Sequence, residues 1–142
     1  MKNTLLALLL FSLSSGFVKG QTSQSGYELS DSAGVLELVK WERKDSIVDL
    51  TKDEKLKQVK VIGKCCFVFN DYIKTVILPE GLEVINGRAF DTCKNLHRIY
   101  LPNSLQVIGQ NSFNMCENLR LDSLPRNLKR IEYGAFWDCC RI

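Results

Sequence analysis

From Leu78 onward the apolar positions of the chain return in a fixed order. Leu78-Pro79, Leu82, Ile85, Phe90, Cys93 and Leu96 are followed, 23 residues on, by Leu101-Pro102, Leu105, Ile108, Phe113, Cys116 and Leu119. A further copy holds Leu124-Pro125, Leu128, Ile131, Phe136, Cys139 and Ile142, and an earlier one keeps Ile62 and Phe67 without the Leu-Pro opening. Self-similarity at such a period belongs to solenoids, in which each unit buries its apolar positions against its neighbours.

Within one unit the spacing changes character. From Ala89 the apolar residues Phe90, Cys93 and Leu96 are three apart, which predicts a short helix of about two turns packed on one face. Leu82 and Ile85 lie in a short extended piece. In "HRIYLP" the pattern alternates, with Ile99 and Leu101 directed one way and Arg98 and Tyr100 the other, as in a strand. Pro102 has no amide hydrogen to offer a ladder, so the strand should end there and the chain turn. The fold predicted is an α/β repeat: a solenoid of 23-residue coils with parallel strands on one face and short helices on the other, closed at its start by an N-terminal β cap.

The repeated L-P-x-x-L-x-x-I-x-x-x-A-F-x-x-C-x-x-L, clearest in "LPEGLEVINGRAFDTCKNL", resembles the BspA-like leucine-rich repeats of bacterial surface and secreted proteins. The resemblance covers residues 56–142, about four repeats with the last incomplete. It implies a leucine-rich solenoid and a role in binding proteins. It also implies adhesion to host or extracellular-matrix proteins, or contact between microbial cells. The chain departs from the pattern at Cys65-Cys66, where a later copy has Arg88-Ala89, at Asn70 in a Cys position and at Ser112 in an Ala position. Asp122 falls where Val76 and Ile99 stand, and burying an unpaired carboxylate costs several kcal/mol. A local shift in "LRLDSLP" is therefore expected, with Leu121 taking the apolar position and Asp122 returned to water.

Residues 21–55 do not repeat. "QTSQSG" has the composition of a flexible leader, and "YELSDSAGVLELVKW" reads as two extended segments around a turn at Asp31 to Gly34, with "SIVDL" a third. Such strands suit a cap over the first coil, and the lead-in "LVKW…IVDL" resembles what precedes the repeats in secreted members of the family. Residues 1–20, with Lys2, the apolar run Leu5 to Leu13 and small residues before Gln21, read as an export signal. The run is broken by Ser12, Ser14, Ser15 and Gly16 and is shorter than the roughly 20 apolar residues that span a bilayer, so no membrane insertion is expected after its removal. The expected location is secreted or at an extracellular surface, with the periplasm also open. At the other end Ile142 takes the position of Leu96 and Leu119. An uncovered coil edge there implies a weak tendency to self-associate.

Composition adds exclusions. The chain has 142 residues and a formal net charge of +3; without Lys2 and Lys19 of the first 20 residues this becomes +1. No basic cluster suggests nucleic acid. Six cysteines in an exported chain invite disulfides, yet Cys93, Cys116 and Cys139 share one repeat position and read as a ladder of buried thiols. Cys66 also reads as buried, with Cys65 and Cys140 exposed. No metal-ligand spacing is present, and His97, the one histidine, falls in a polar position with Lys74 and Arg120. No cofactor and no catalysis are expected.

The positions that vary most between copies are on the outward side of the strand: Thr75, Arg98 and Leu121 in one row, Ile77, Tyr100 and Ser123 in the next. Variable side chains on a regular scaffold are how repeat proteins build a binding surface. Arg98 and Tyr100 are the first candidates for contact with a protein ligand, flanked by Thr75, Ile77 and Leu121, with His97 and Arg120 at the rim. The reading of a different class is a structural or assembly module, a spacer or piece of a longer array that docks through its uncapped end near Trp137 and Ile142.

Overall fold

The computed structural model describes residues 25–142. The segment read as an export signal and most of the leader lie outside these residues. In chain order the strands are β1 (Tyr27–Ser32), β2 (Val35–Trp41), β3 (Ile47–Asp49) and β4 (Val61–Ile62). There follow β5 (Thr75–Ile77), β6 (Val84–Ile85), β7 (Arg98–Tyr100), β8 (Val107–Ile108) and β9 (Arg130–Ile131). They form a six-stranded sheet, β1-β2-β4-β6-β8-β9, and a three-stranded sheet, β3-β5-β7. The result is a β-solenoid of about four coils.

The larger sheet begins with an antiparallel hairpin. Ala33 and Gly34 both have positive φ, the geometry that a two-residue hairpin turn demands, and the Gly34 amide donates to Asp31 Oδ1 at 3.0 Å. β2 then pairs in parallel with β4, Leu38 against Ile62. From there the 23-residue register holds without a slip, Ile62 beside Ile85, Ile108 and Ile131. The short extended pieces at Leu82 and Ile85 and their counterparts thus supply the strands of a continuous sheet.

The short helices expected on the other side are absent. Among the described residues the one helical turn is a 3₁₀ turn at Leu56–Gln58. Two residues per coil adopt the left-handed region at the 23-residue period: Cys65, Arg88, Asn111 and Gly134, then Phe69, Thr92, Met115 and Asp138. No α-helix passes through such positions. The amides of Ala89, Asp91 and Cys93 donate to carbonyls three residues back, while those of Arg88, Phe90 and Thr92 reach the next coil, to Gln110, Ser112 and Asn114. A helix would have kept every one of these amides inside its own coil. The three-residue spacing of Phe90, Cys93 and Leu96 comes from successive turns bonded to adjacent coils, and the spacing alone does not distinguish the two.

These turns carry the core. Tyr27, Trp41, Phe67, Phe90, Phe113 and Phe136 form one column of rings, with Phe67 to Phe90 at 4.7 Å and Phe90 to Phe113 at 5.2 Å between centroids. Beside it Cys93 Sγ donates to the Phe67 carbonyl at 3.0 Å, Cys116 to Phe90 at 3.1 Å and Cys139 to Phe113 at 3.0 Å. Every cysteine is a free thiol; Cys66 is buried and Cys140 exposed, as the sequence implied, while Cys65, read as exposed, and Cys139, read as buried, are both half-buried.

Candidate functional site

The small sheet presents the sequence-predicted residues. Parallel pairing sets Ile47, Thr75 and Arg98 in one outward row and Asp49, Ile77 and Tyr100 in another, with Val48, Val76 and Ile99 buried between them. Alternation alone dictates this, since successive side chains of a strand point to opposite faces. Arg98 is exposed and Tyr100 is 48% exposed, whereas Thr75 and Ile77 are half-buried. Ile47, which sequence reasoning left in the lead-in, is 62% exposed in the same row. It was missed because β3 precedes β5 by more than the 23-residue period, so a fixed offset does not find it.

Just before these strands the chain stacks a basic column. The Lys74 amide donates to Ser46 O at 2.8 Å, that of His97 to Lys74 O at 2.9 Å and that of Arg120 to His97 O at 2.9 Å. All three side chains are exposed. The sheet stops at the next coil. Arg98 bridges Arg120 instead of Leu121, Leu121 packs against the core and Asp122 is exposed. The expected shift is present, and its cause is the carboxylate that the buried row cannot hold. Leu121 accordingly turns inward and does not continue the row of Thr75 and Arg98.

A family model described as "BspA type Leucine rich repeat region" matches residues 46–142 in six copies. The chain belongs to this family. The BspA-type match begins at Ser46 and so takes in β3, consistent with its place in the small sheet. Among solved structures, the chain is similar to a leucine rich cell surface protein from Faecalibacterium prausnitzii A2-165, with 22% identity and a TM-score of 0.70 over 80% of this chain and 29% of that one. A leucine-rich repeat protein from Bacteroides ovatus shares 27% identity with a TM-score of 0.67, over 79% and 31%. The leucine-rich repeat protein of T. pallidum shares 26% identity with a TM-score of 0.64, over 84% and 68%. This chain thus spans less than a third of the first two relatives. No curated protein matches the sequence.

Two of the three repeated thiols of this BspA-type chain, Cys93 and Cys116, are buried. Burial pushes the Cys93 thiol up to about 12 and Cys139 to about 11, and raises Cys66 and Cys116 strongly as well. A thiol held protonated is neither nucleophile nor metal ligand. His97 Nδ1 lies 2.6 Å from the Asn95 carbonyl, and no group of three or more His, Cys, Asp or Glu converges among the described residues. No helix among these residues is long and apolar enough to cross a membrane.

One polar network was invisible to periodicity. Asp91 is 3% exposed and receives Arg88 Nε at 2.8 Å, Asn114 Nδ2 at 2.8 Å and Thr92 Oγ1 at 3.0 Å. Burial pushes its carboxyl up, but these donors outweigh burial and hold it below the usual carboxylate range. Asp91 ties two coils together through Asn114, its own counterpart one period on, whereas Val68 and Trp137 hold the position in the other copies.

Proposed function

We propose that the chain is an exported, non-catalytic protein-binding module and that the outward face of β3, β5 and β7 is its contact surface. Arg98 and Tyr100 are the principal contacts, Thr75 and Ile77 flank them, and His97 and Arg120 form the rim. Leu121 contributes through the packing that ends the sheet. The observation that carries this reading is a half-exposed Tyr100 beside an exposed Arg98 that enters no ion pair among the described residues. Tyr and Arg are the residues that most often anchor protein interfaces. Membership of a repeat family that generally mediates protein interaction supports the class of function, and the cell-surface relative supports the location. Adhesion to host, matrix or other cells is the biological role proposed. The β1-β2 hairpin serves as the N-terminal cap.

The test is binding of the purified chain to a panel of immobilised matrix and cell-surface proteins, beside an Arg98→Ala, Tyr100→Ala double variant shown to be folded. Saturable binding lost in the double variant is expected. Equal binding by both removes this face.

A second reading has its own observation. On the coil of β9, Ile131, Tyr133, Trp137 and Ile142 are exposed. Such an edge would template a further coil or a second copy, the structural or assembly role. Light scattering showing a strict monomer at high concentration would remove self-association.

A further inference from the structure

The outward face of the small sheet joins two chemistries. Backbone bonds hold Lys74, His97 and Arg120 in a column at ladder spacing, about 4.8 Å per step, and Arg98 stands beside His97. Lys74, Arg98 and Arg120 enter no ion pair among the described residues. Of the acidic groups near the face, Asp45 pairs with Arg43 at 2.9 Å and Asp49 with Lys52 at 3.4 Å, while Glu80, exposed at the edge of the apolar row and away from the basic column in sequence, enters no ion pair among the described residues. Asp71 and Asp122 flank the column in sequence, are exposed and bridge none of it. Arg98 and Arg120 are bridged neighbours, and like charges on adjacent strands repel. Along the same strands lies the apolar row of Ile77 and Tyr100. It borders a shallow depression of about 410 Å³ lined also by Leu78, Leu101 and Pro102, with Thr51 and Glu80 at its polar edge.

We propose that this face receives an extended acidic segment of a partner protein, with carboxylates over Lys74, His97, Arg98 and Arg120 and an apolar side chain against Ile77 and Tyr100. The inference rests on the reading of the face as the contact surface. In an extended peptide, side chains on one face recur about every 7 Å, so two acidic residues separated by one fall within the length of a basic column of about 10 Å. A sulfated polysaccharide would satisfy the cations but leave the apolar row uncovered. For that reason a peptide is the occupant that fits both.

The test is fluorescence anisotropy of the whole chain with three labelled probes: a short peptide of alternating Glu and Thr with one central Phe, its Lys-for-Glu counterpart, and heparin. Saturable binding of the acidic peptide alone is expected, weakened roughly tenfold or more in a Lys74→Glu, Arg98→Glu, Arg120→Glu variant. Binding should also weaken steeply as salt rises from about 50 to 500 mM, since exposed charges are screened over that range. Should the triple variant fail to fold, Arg98→Glu alone and the salt titration decide. Equal binding of the Lys counterpart, retention by the charge-reversed variant, or indifference to salt overturns the proposal. Tight heparin binding without peptide binding overturns it in favour of a polyanionic glycan. If the acidic peptide fails while Arg98→Ala, Tyr100→Ala still abolishes binding to a panel protein, the acidic chemistry is overturned and the contact face survives.

Discussion

On the turn side of the coils Phe90 lies between Phe67 and Phe113, each ring resting on its own counterpart, while on the strand side the row that holds Arg98 ends one coil later. Both sides are built from the same 23-residue period. They differ in what the side chains meet. A buried ring or thiol meets a copy of itself, so any change of size is felt in two neighbouring coils at once. An outward side chain of the small sheet meets water, and the backbone ladder beneath tolerates Thr, Arg, Ile or Tyr alike. Constancy on one side carries the fold, and freedom on the other leaves room for recognition.

The largest break in this comparison should come from the ring column. Phe90→Ala removes a fully buried ring from the middle of the stack and is expected to cost about 3 to 5 kcal/mol in urea unfolding. Asp91→Ala is expected to cost about 2 kcal/mol, because it leaves the donors of Arg88 and Asn114 unmatched. Asp91 also sets a pH window. Its folded carboxyl is held low, so the stability it adds is present above the ordinary carboxylate pKa and lost as pH falls through the folded one. The wild-type chain should therefore lose stability in acid below about pH 4 more steeply than Asp91→Asn.

The thiols move the other way. Cys93 is raised from 9.0 to about 12, so its contribution is complete below the unfolded value and fades as pH rises toward the folded one. Near pH 9 iodoacetamide should modify exposed Cys140 readily and spare Cys93 and Cys116 in the native chain. Equal labelling of all three would show the ladder to be open.

Much of this was legible because burial enforces repetition. The period, the inward Ile99, the hairpin turn at Asp31 to Gly34 and the retreat of Asp122 all follow from apolar spacing and the cost of a buried charge. The expected helices failed at Arg88 and Thr92, whose left-handed backbone leaves no mark in a pattern of apolar residues. Ile47 was hidden because its strand stands off the period, and Asp91 because the position it shares with Val68, Asn114 and Trp137 mixes polar and apolar residues and so fits no apolar pattern. Of the contact face, Arg98 and Tyr100 were readable from alternation, whereas the stacking of Lys74, His97 and Arg120 needed the hydrogen-bonded ladder to be seen.

Smaller effects sharpen the same contrast. Ser112 sits fully buried in an Ala position and its hydroxyl has no partner, so Ser112→Ala should stabilise the chain by about 1 kcal/mol in urea unfolding. Thr75→Ala, on the outward face, should fall within about 0.5 kcal/mol of wild type.

The most direct measurement is to take the Arg98→Ala, Tyr100→Ala variant and follow its urea unfolding and its binding to a panel protein in one preparation. The account expects stability within about 1 kcal/mol of wild type together with loss of binding. A variant that binds as wild type does, or that unfolds as readily as Phe90→Ala, would contradict the division of the coil into a side that holds the fold and a side that meets a partner.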